Sequence, residues 1–269
     1  MASARIGLSD DELRGLARVS GRDPEALADE LTARPWAIHD LLSQPETVDA
    51  VLHPDSVFDT TSPFVLFAVL TRLAADELNG CGYVNDWVGP RSRLPVFDVE
   101  PLQEFAESPA RVLFVARLLA SMVTPTSDCI PVPTSDPWEL LDWVDAVDAA
   151  ARVALLRRMG DAALFLAGIQ PDALADAVMP VDRAEKIGRS LDLSADEVLD
   201  LVDTDSPTTA IDTLEILGAR WYQAARQSEP AMPPIVSDVA ERISPARRFL
   251  THLADRYLAP IESGLRFAA

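Results

Sequence analysis

With 269 residues, 48% of them hydrophobic, and a formal charge of −20, the chain can bury a real core, which excludes wholesale disorder. Such acidity repels phosphate backbones and anionic headgroups, so nucleic acid and membrane surfaces are disfavoured as partners. The apolar run Phe64 to Leu70 is short and Val112 to Val123 is interrupted by Arg117, so neither is read as a membrane span. The opening residues lack the apolar stretch of a secretory signal, and Asp10, Asp11 and Glu12 are out of place in a transit peptide. A cytoplasmic location is expected. Cys81 and Cys129 match no metal or redox spacing and are expected to be reduced thiols.

Six Asp-Pro or Ser-Pro pairs, at 23–24, 62–63, 108–109, 136–137, 206–207 and 244–245, place a capping oxygen before a proline. The missing proline N–H costs nothing at a first helical position, so each pair reads as a helix start. Asp136 to Glu139 and Ser194 to Glu197 add the capping-box spacing. Residues 9–19, 24–33 and 35–52 read as short helices, the last broken near Pro45. The first two, with Gly21 between them, superficially resemble a helix-turn-helix. Glu25, Asp29 and Glu30, however, stand where a DNA reader needs Arg, Asn or Gln. A helical N-terminal module over 1–58 is expected, followed by a main helical domain over 59–269.

Phe64 to Asn79 reads as a helix that is half enclosed, and Arg111 to Val123 as another. Between them the period lapses. Residues 81–101, CGYVNDWVGPRSRLPVFDVEP, read as a loop shaped by Gly and Pro, with a short extended piece near 94–97. Residues 124–137 read as an extended proline-rich connector. Arg152 to Pro171 is the expected centre of one core: Leu155, Leu156, Met159, Ala162, Ala163 and Leu166 share a face, and residues 162–167 carry no polar side chain. Val153, Gly160, Leu164 and Ala167 form a second line where small residues admit another helix. Gly168 is expected to end the helix in a left-handed conformation, with Pro171 preventing its continuation. Further helices are expected at 171–179, 182–190, 194–203, 207–227, 234–243 and 245–258. The fold class is all-α.

The stretch GDAALFLAGIQPD at 160–172 and the later LGARWYQAA at 217–225 resemble uncharacterised all-helical bacterial proteins. Those carry a Gly-Asp-x-x-Leu-Phe-Leu-x-Gly-x-x-Pro stretch and, further on, a Gly-x-x-x-Tyr-type helix. The resemblance covers the C-terminal half and implies an all-α fold without an assigned activity.

Signatures of chemistry are missing. His39, His53 and His252 have no second His or Cys at ligand spacing, no Glu-x-x-His pair occurs, and there is no nucleophile elbow, Walker loop or dinucleotide fingerprint. No metal and no cofactor are expected. The one candidate site is the loop 81–101, where Tyr83, Asp86, Trp87, Arg91, Arg93 and Asp98 combine guanidinium forks, carboxylates and aromatics suited to an anionic or planar ligand. The competing structural reading has Trp87 and Phe97 pinning the loop to the core while the arginines pair with Asp residues. Trp221 and Tyr222 pose the same choice, with core packing preferred. The leading expectation is a non-catalytic protein acting through a protein partner or its own copy; the alternative is ligand binding or catalysis by 81–101.

Overall fold

The computed structural model describes residues 8–52, 62–89, 92–123, 138–174, 181–202 and 210–258. Thirteen α-helices dominate them, with one two-stranded hairpin and short 3₁₀ and π turns. The all-α expectation holds, the hairpin being the exception. His53, Arg91, Cys129, the connector 124–137 and two of the six proline starts, at 136–137 and 206–207, lie outside the described residues.

Contacts divide the chain into two compact units, residues 1–80 with 106–124, and residues 81–105 with 125–269. The division differs from the expected boundary at 58 and from a single central core. Its cause is the company kept by two apolar helices: Pro63–Leu78 packs with the N-terminal helices, and Pro109–Val123 packs against Pro63–Leu78.

The first unit contains α1 (Asp10–Val19), α2 (Pro24–Ala33), α3 (Ala37–Leu42), α4 (Pro45–Leu52), α5 (Pro63–Leu78) and α7 (Pro109–Val123). Ser9 caps α1 reciprocally: its hydroxyl accepts from Glu12 N at 3.1 Å, and its own N–H donates to Glu12 Oε2 at 2.6 Å. Gly21, at φ +63°, supplies the left-handed residue that ends the helix. Asp23 caps α2 through Ala26 N at 2.9 Å, as its Asp-Pro pair indicates. Helix α5 is buried almost all round, with Phe64, Val65, Phe67, Ala68, Val69 and Leu70 each at most 4% exposed. It lies against α7, whose Val112, Phe114, Val115, Leu118, Leu119 and Met122 are equally enclosed. Between them, the Arg117 guanidinium sits 5.3 Å from the Phe64 ring centroid. His39 is buried on α3, and neither of its ring nitrogens has a hydrogen-bond partner among the described residues.

The second unit contains β1 (Val84–Gly89), β2 (Ser92–Val96), most of α6 (Glu100–Glu107), and then α8 (Ala149–Ile169), α9 (Val181–Leu191), α10 (Ala195–Val202), α11 (Ala210–Ser228), α12 (Ile235–Glu241) and α13 (Ile243–Leu253). Asp148 caps α8 through Ala151 N at 2.8 Å. Residues 162–167 are all buried, because α8 is packed by α11 on one side and α13 on another. The small residues decide how closely. A Cβ on Gly160 would stand 2.7 Å from the Tyr222 ring of α11, and one on Gly218 would stand 3.1 Å from Ala163 Cβ.

Gly168 does not end α8 in a left-handed conformation. The helix continues to Ile169, and a Cβ on Gly168 would meet Leu250 Cβ of α13 at 2.6 Å. Its role is close approach, reinforced by Thr251 Oγ1 donating to Gly168 O at 3.0 Å. Pro171 does stop the helix, and it opens a 3₁₀ turn, Pro171–Leu174. Helix α10 has the expected capping box, with Ser194 N donating to Glu197 Oε2 at 2.8 Å and Glu197 N to Ser194 Oγ at 3.2 Å. Helix α13 begins at Ile243, so Pro245 falls inside its first turn, where an N–H has no intrahelical partner in any case.

Trp221 and Tyr222 are core residues, 1% and 0% exposed. Each polar tip is satisfied: Trp221 Nε1 donates to Ser190 Oγ at 2.9 Å, and the Tyr222 hydroxyl donates to Asp161 Oδ1 at 2.7 Å. Asp161 also accepts from Arg157 Nε at 2.9 Å. Burial, reinforced by the Asp161 carboxylate, holds the Tyr222 hydroxyl protonated well above the usual tyrosine range.

Candidate functional site: the hairpin at 84–96

Residues 81–101 form a structured element in place of the expected loop. β1 and β2 pair antiparallel, Val84 opposite Val96, Asp86 opposite Leu94 and Trp87 opposite Arg93, with an irregularity between Trp87 and Gly89. β-branched residues at the open end and Gly89 near the turn suit a short pleated pair. Val84 is buried at 4% exposure and anchors the base.

Asp86, Trp87 and Arg93 of the hairpin turn toward other elements of the second unit, while Asn85 and Ser92 are exposed. Asp86 Oδ1 accepts from Arg247 Nη1 at 2.5 Å, and its Oδ2 lies 3.2 Å from Arg248 Nε. Arg247 Nε donates in turn to Glu215 Oε1 of α11 at 2.8 Å, so two guanidinium groups and two carboxylates from three elements form one cluster. All four side chains are 10–14% exposed. Burial works against the charged form of Arg247, but Asp86 and Glu215 outweigh it and its pKa rises. Burial likewise raises Glu215, with Arg247 opposing.

Trp87 Nε1 donates to Asp172 Oδ1 at 2.7 Å. Arg93 Nε donates to Asp255 Oδ2 at 3.1 Å, and its Nη1 lies 3.7 Å from Asp172. Arg248 Nη2 donates to the Asp98 carbonyl at 3.0 Å. Of the sequence-derived candidates, Asp86, Trp87 and Arg93 are therefore fastening residues in this geometry. The Asp98 side chain is exposed and Arg91 is outside the described residues.

The aromatics at the open end point outward. Tyr83 is 53% exposed and Phe97 is 73% exposed, their ring centroids 5.9 Å apart. Phe97 is thus no pin to the core, and the half-buried Trp87 is fastened through its indole N–H to Asp172. Val88 and Leu94, 49% and 55% exposed, add apolar surface to the same hairpin. Sequence reasoning did not find Glu215, Asp172, Asp255 or the Arg247–Arg248 pair as partners of this segment. Separations such as 161 residues leave no local signal.

Among the described residues no group of three His, Cys, Asp or Glu side chains is arranged to hold a metal ion, and no helix is long and apolar enough to cross a membrane. No known protein family, curated protein or solved structure matches the chain.

Proposed function

We propose that this chain is a non-catalytic, cytoplasmic binding protein that engages another protein, or a second copy of itself, through the outward side of the hairpin. The observation that carries this reading is the Tyr83–Phe97 pair: two aromatic rings in mutual contact, more than half exposed, on an element whose base is fastened by ion pairs. Large aromatics are enriched where protein surfaces meet, and a rigid mount lowers the entropy lost on docking. The strongly acidic chain agrees with a site that meets neither nucleic acid nor an anionic membrane.

Light scattering after size exclusion, together with co-purification and mass spectrometry, tests the reading. The full chain is expected to self-associate or to retain a protein partner, and Tyr83→Ser with Phe97→Ser to lose that association without lowering the melting temperature. A strict monomer that captures nothing overturns it. The alternative, a ligand site or active centre at 81–101, has less support because Asp86 and Arg93 are engaged internally.

The likeness of 160–172 and 217–225 to uncharacterised helical bacterial proteins falls on packing residues such as Gly160, Gly168, Gly218 and Tyr222. It adds no activity to the proposal.

A further inference from the structure

The open end of the hairpin carries unanswered negative charge beside its aromatic pair. The Phe97 carbonyl accepts from Val99 N at 3.0 Å, a tight turn with Asp98 at its apex, and α6 begins two residues further on at Glu100. Asp98 and Glu100 are exposed, and neither carboxylate has a hydrogen bond or an ion pair among the described residues. The nearby cations are spent elsewhere. Arg93, the only cation among the described residues of 81–105, donates to Asp255 at 3.1 Å and lies 3.7 Å from Asp172. Arg248 is 10% exposed and is shared between the Asp86 side chain and the Asp98 carbonyl.

Exposed aromatic rings next to free carboxylates suit a guanidinium group. The ring face attracts the cation, the planar fork pairs with a carboxylate, and Arg is more weakly hydrated than Lys and so stacks at lower cost. Two other occupants fit worse. A second copy brings a further charge of −20 and, in a twofold contact, sets Asp98 and Glu100 near their own equivalents. An added β-strand meets Pro95, which has no N–H to offer at the free edge of β2.

Resting on the hairpin interface proposed above, we propose that its occupant is an arginine-bearing segment of a different, basic protein. A guanidinium group of that segment stacks on Tyr83 and Phe97 and pairs with the Asp98 and Glu100 carboxylates.

Calorimetric titration of the full chain with the end-blocked heptapeptide Gly-Arg-Ala-Leu-Ala-Arg-Gly, and with its counterparts carrying Gln or Glu in place of both arginines, tests the proposal. Saturable binding of the arginine peptide is expected at about millimolar concentration, with the glutamine peptide weaker and the glutamate peptide silent. Asp98→Lys with Glu100→Lys should abolish binding. Tyr83→Ser with Phe97→Ser changes no charge and should weaken it about fivefold, which separates docking on the rings from diffuse attraction to an acidic chain. Unaltered melting temperatures show that both double variants are folded. No saturable binding of the arginine peptide, equal binding of either counterpart, or unchanged affinity in either folded double variant overturns the proposal. Association that depends on Tyr83 and Phe97, with a second copy or a captured protein, alongside silence toward the arginine peptide removes this occupant and leaves the interface standing. A monomer that captures nothing and binds no peptide removes both.

Discussion

At Gly160 the space available for one methyl group is the whole argument. An alanine there would press on the Tyr222 ring, and the ring cannot swing away because its hydroxyl is tied to Asp161. Gly160→Ala is therefore expected to cost about 1–3 kcal/mol by overpacking, whereas Gly82→Ala, with nothing within 4 Å of the added Cβ, should stay within about 0.5 kcal/mol of the parent. Urea denaturation of the two variants checks the difference. His39 makes a different kind of prediction. Burial, followed by the charge of Arg72, lowers its pKa below the ordinary histidine value, with Asp40 and Asp76 opposing. The unfolded chain then binds a proton more readily than the folded one, so stability is complete above pH about 6.5 and falls as pH drops below it. Melting temperatures at a series of pH values should show that fall in the parent and a shallower one in His39→Leu. The sequence marks Gly160 as a place where another helix can come close, and the structure supplies Tyr222 there; that His39 is buried is decided only by what packs around it.

At the level of elements, the hairpin depends on Asp86 more than on its own backbone pairing. Two strands alone are marginal in water, and this pair is held by a carboxylate shared between Arg247 and Arg248. Asp86→Ala leaves two largely buried guanidinium groups short of a partner and is expected to destabilise the protein by about 3 kcal/mol. Protection of the β1 and β2 amides in hydrogen exchange should fall with it, more than that of α8. The helices were far easier to anticipate. Asp23 and the Ser194–Glu197 box mark α2 and α10 by capping, local chemistry written within four residues. Helices α5 and α7, by contrast, start at the prolines of their Ser-Pro pairs, and at α5 the Ser62 side chain makes no capping hydrogen bond. The same reading missed α6, whose Leu102, Phe105 and Ala106 are buried but whose run is too short to establish a period. It also took 81–101 for a loop, because the partners that straighten it are supplied by α13 and the turn at Asp172.

Across the whole molecule, charge is the dominant fact. A net −20 opposes compaction, and an exposed ion pair between sequence neighbours, such as Arg14 with Asp11, adds little against it. Screening should relieve the repulsion, so the melting temperature is expected to rise between about 0.05 and 0.5 M sodium chloride, over which the Debye length falls well below its value of about 10 Å at 0.1 M. A fall across that range would mean that favourable pairs outweigh the repulsion. Composition and periodicity by themselves determined that the described chain would be helical, where several of its helices begin, and that residues 162–167 would be enclosed, since a run without polar residues has no tolerable place in water. Only the tertiary structure decided that α5 and α7 belong with the N-terminal helices, that Gly168 serves α13 and does not end α8, and that Arg247 binds Asp86. Those outcomes depend on which surfaces meet across long separations in the chain, and no local propensity encodes the choice among many apolar faces of similar strength.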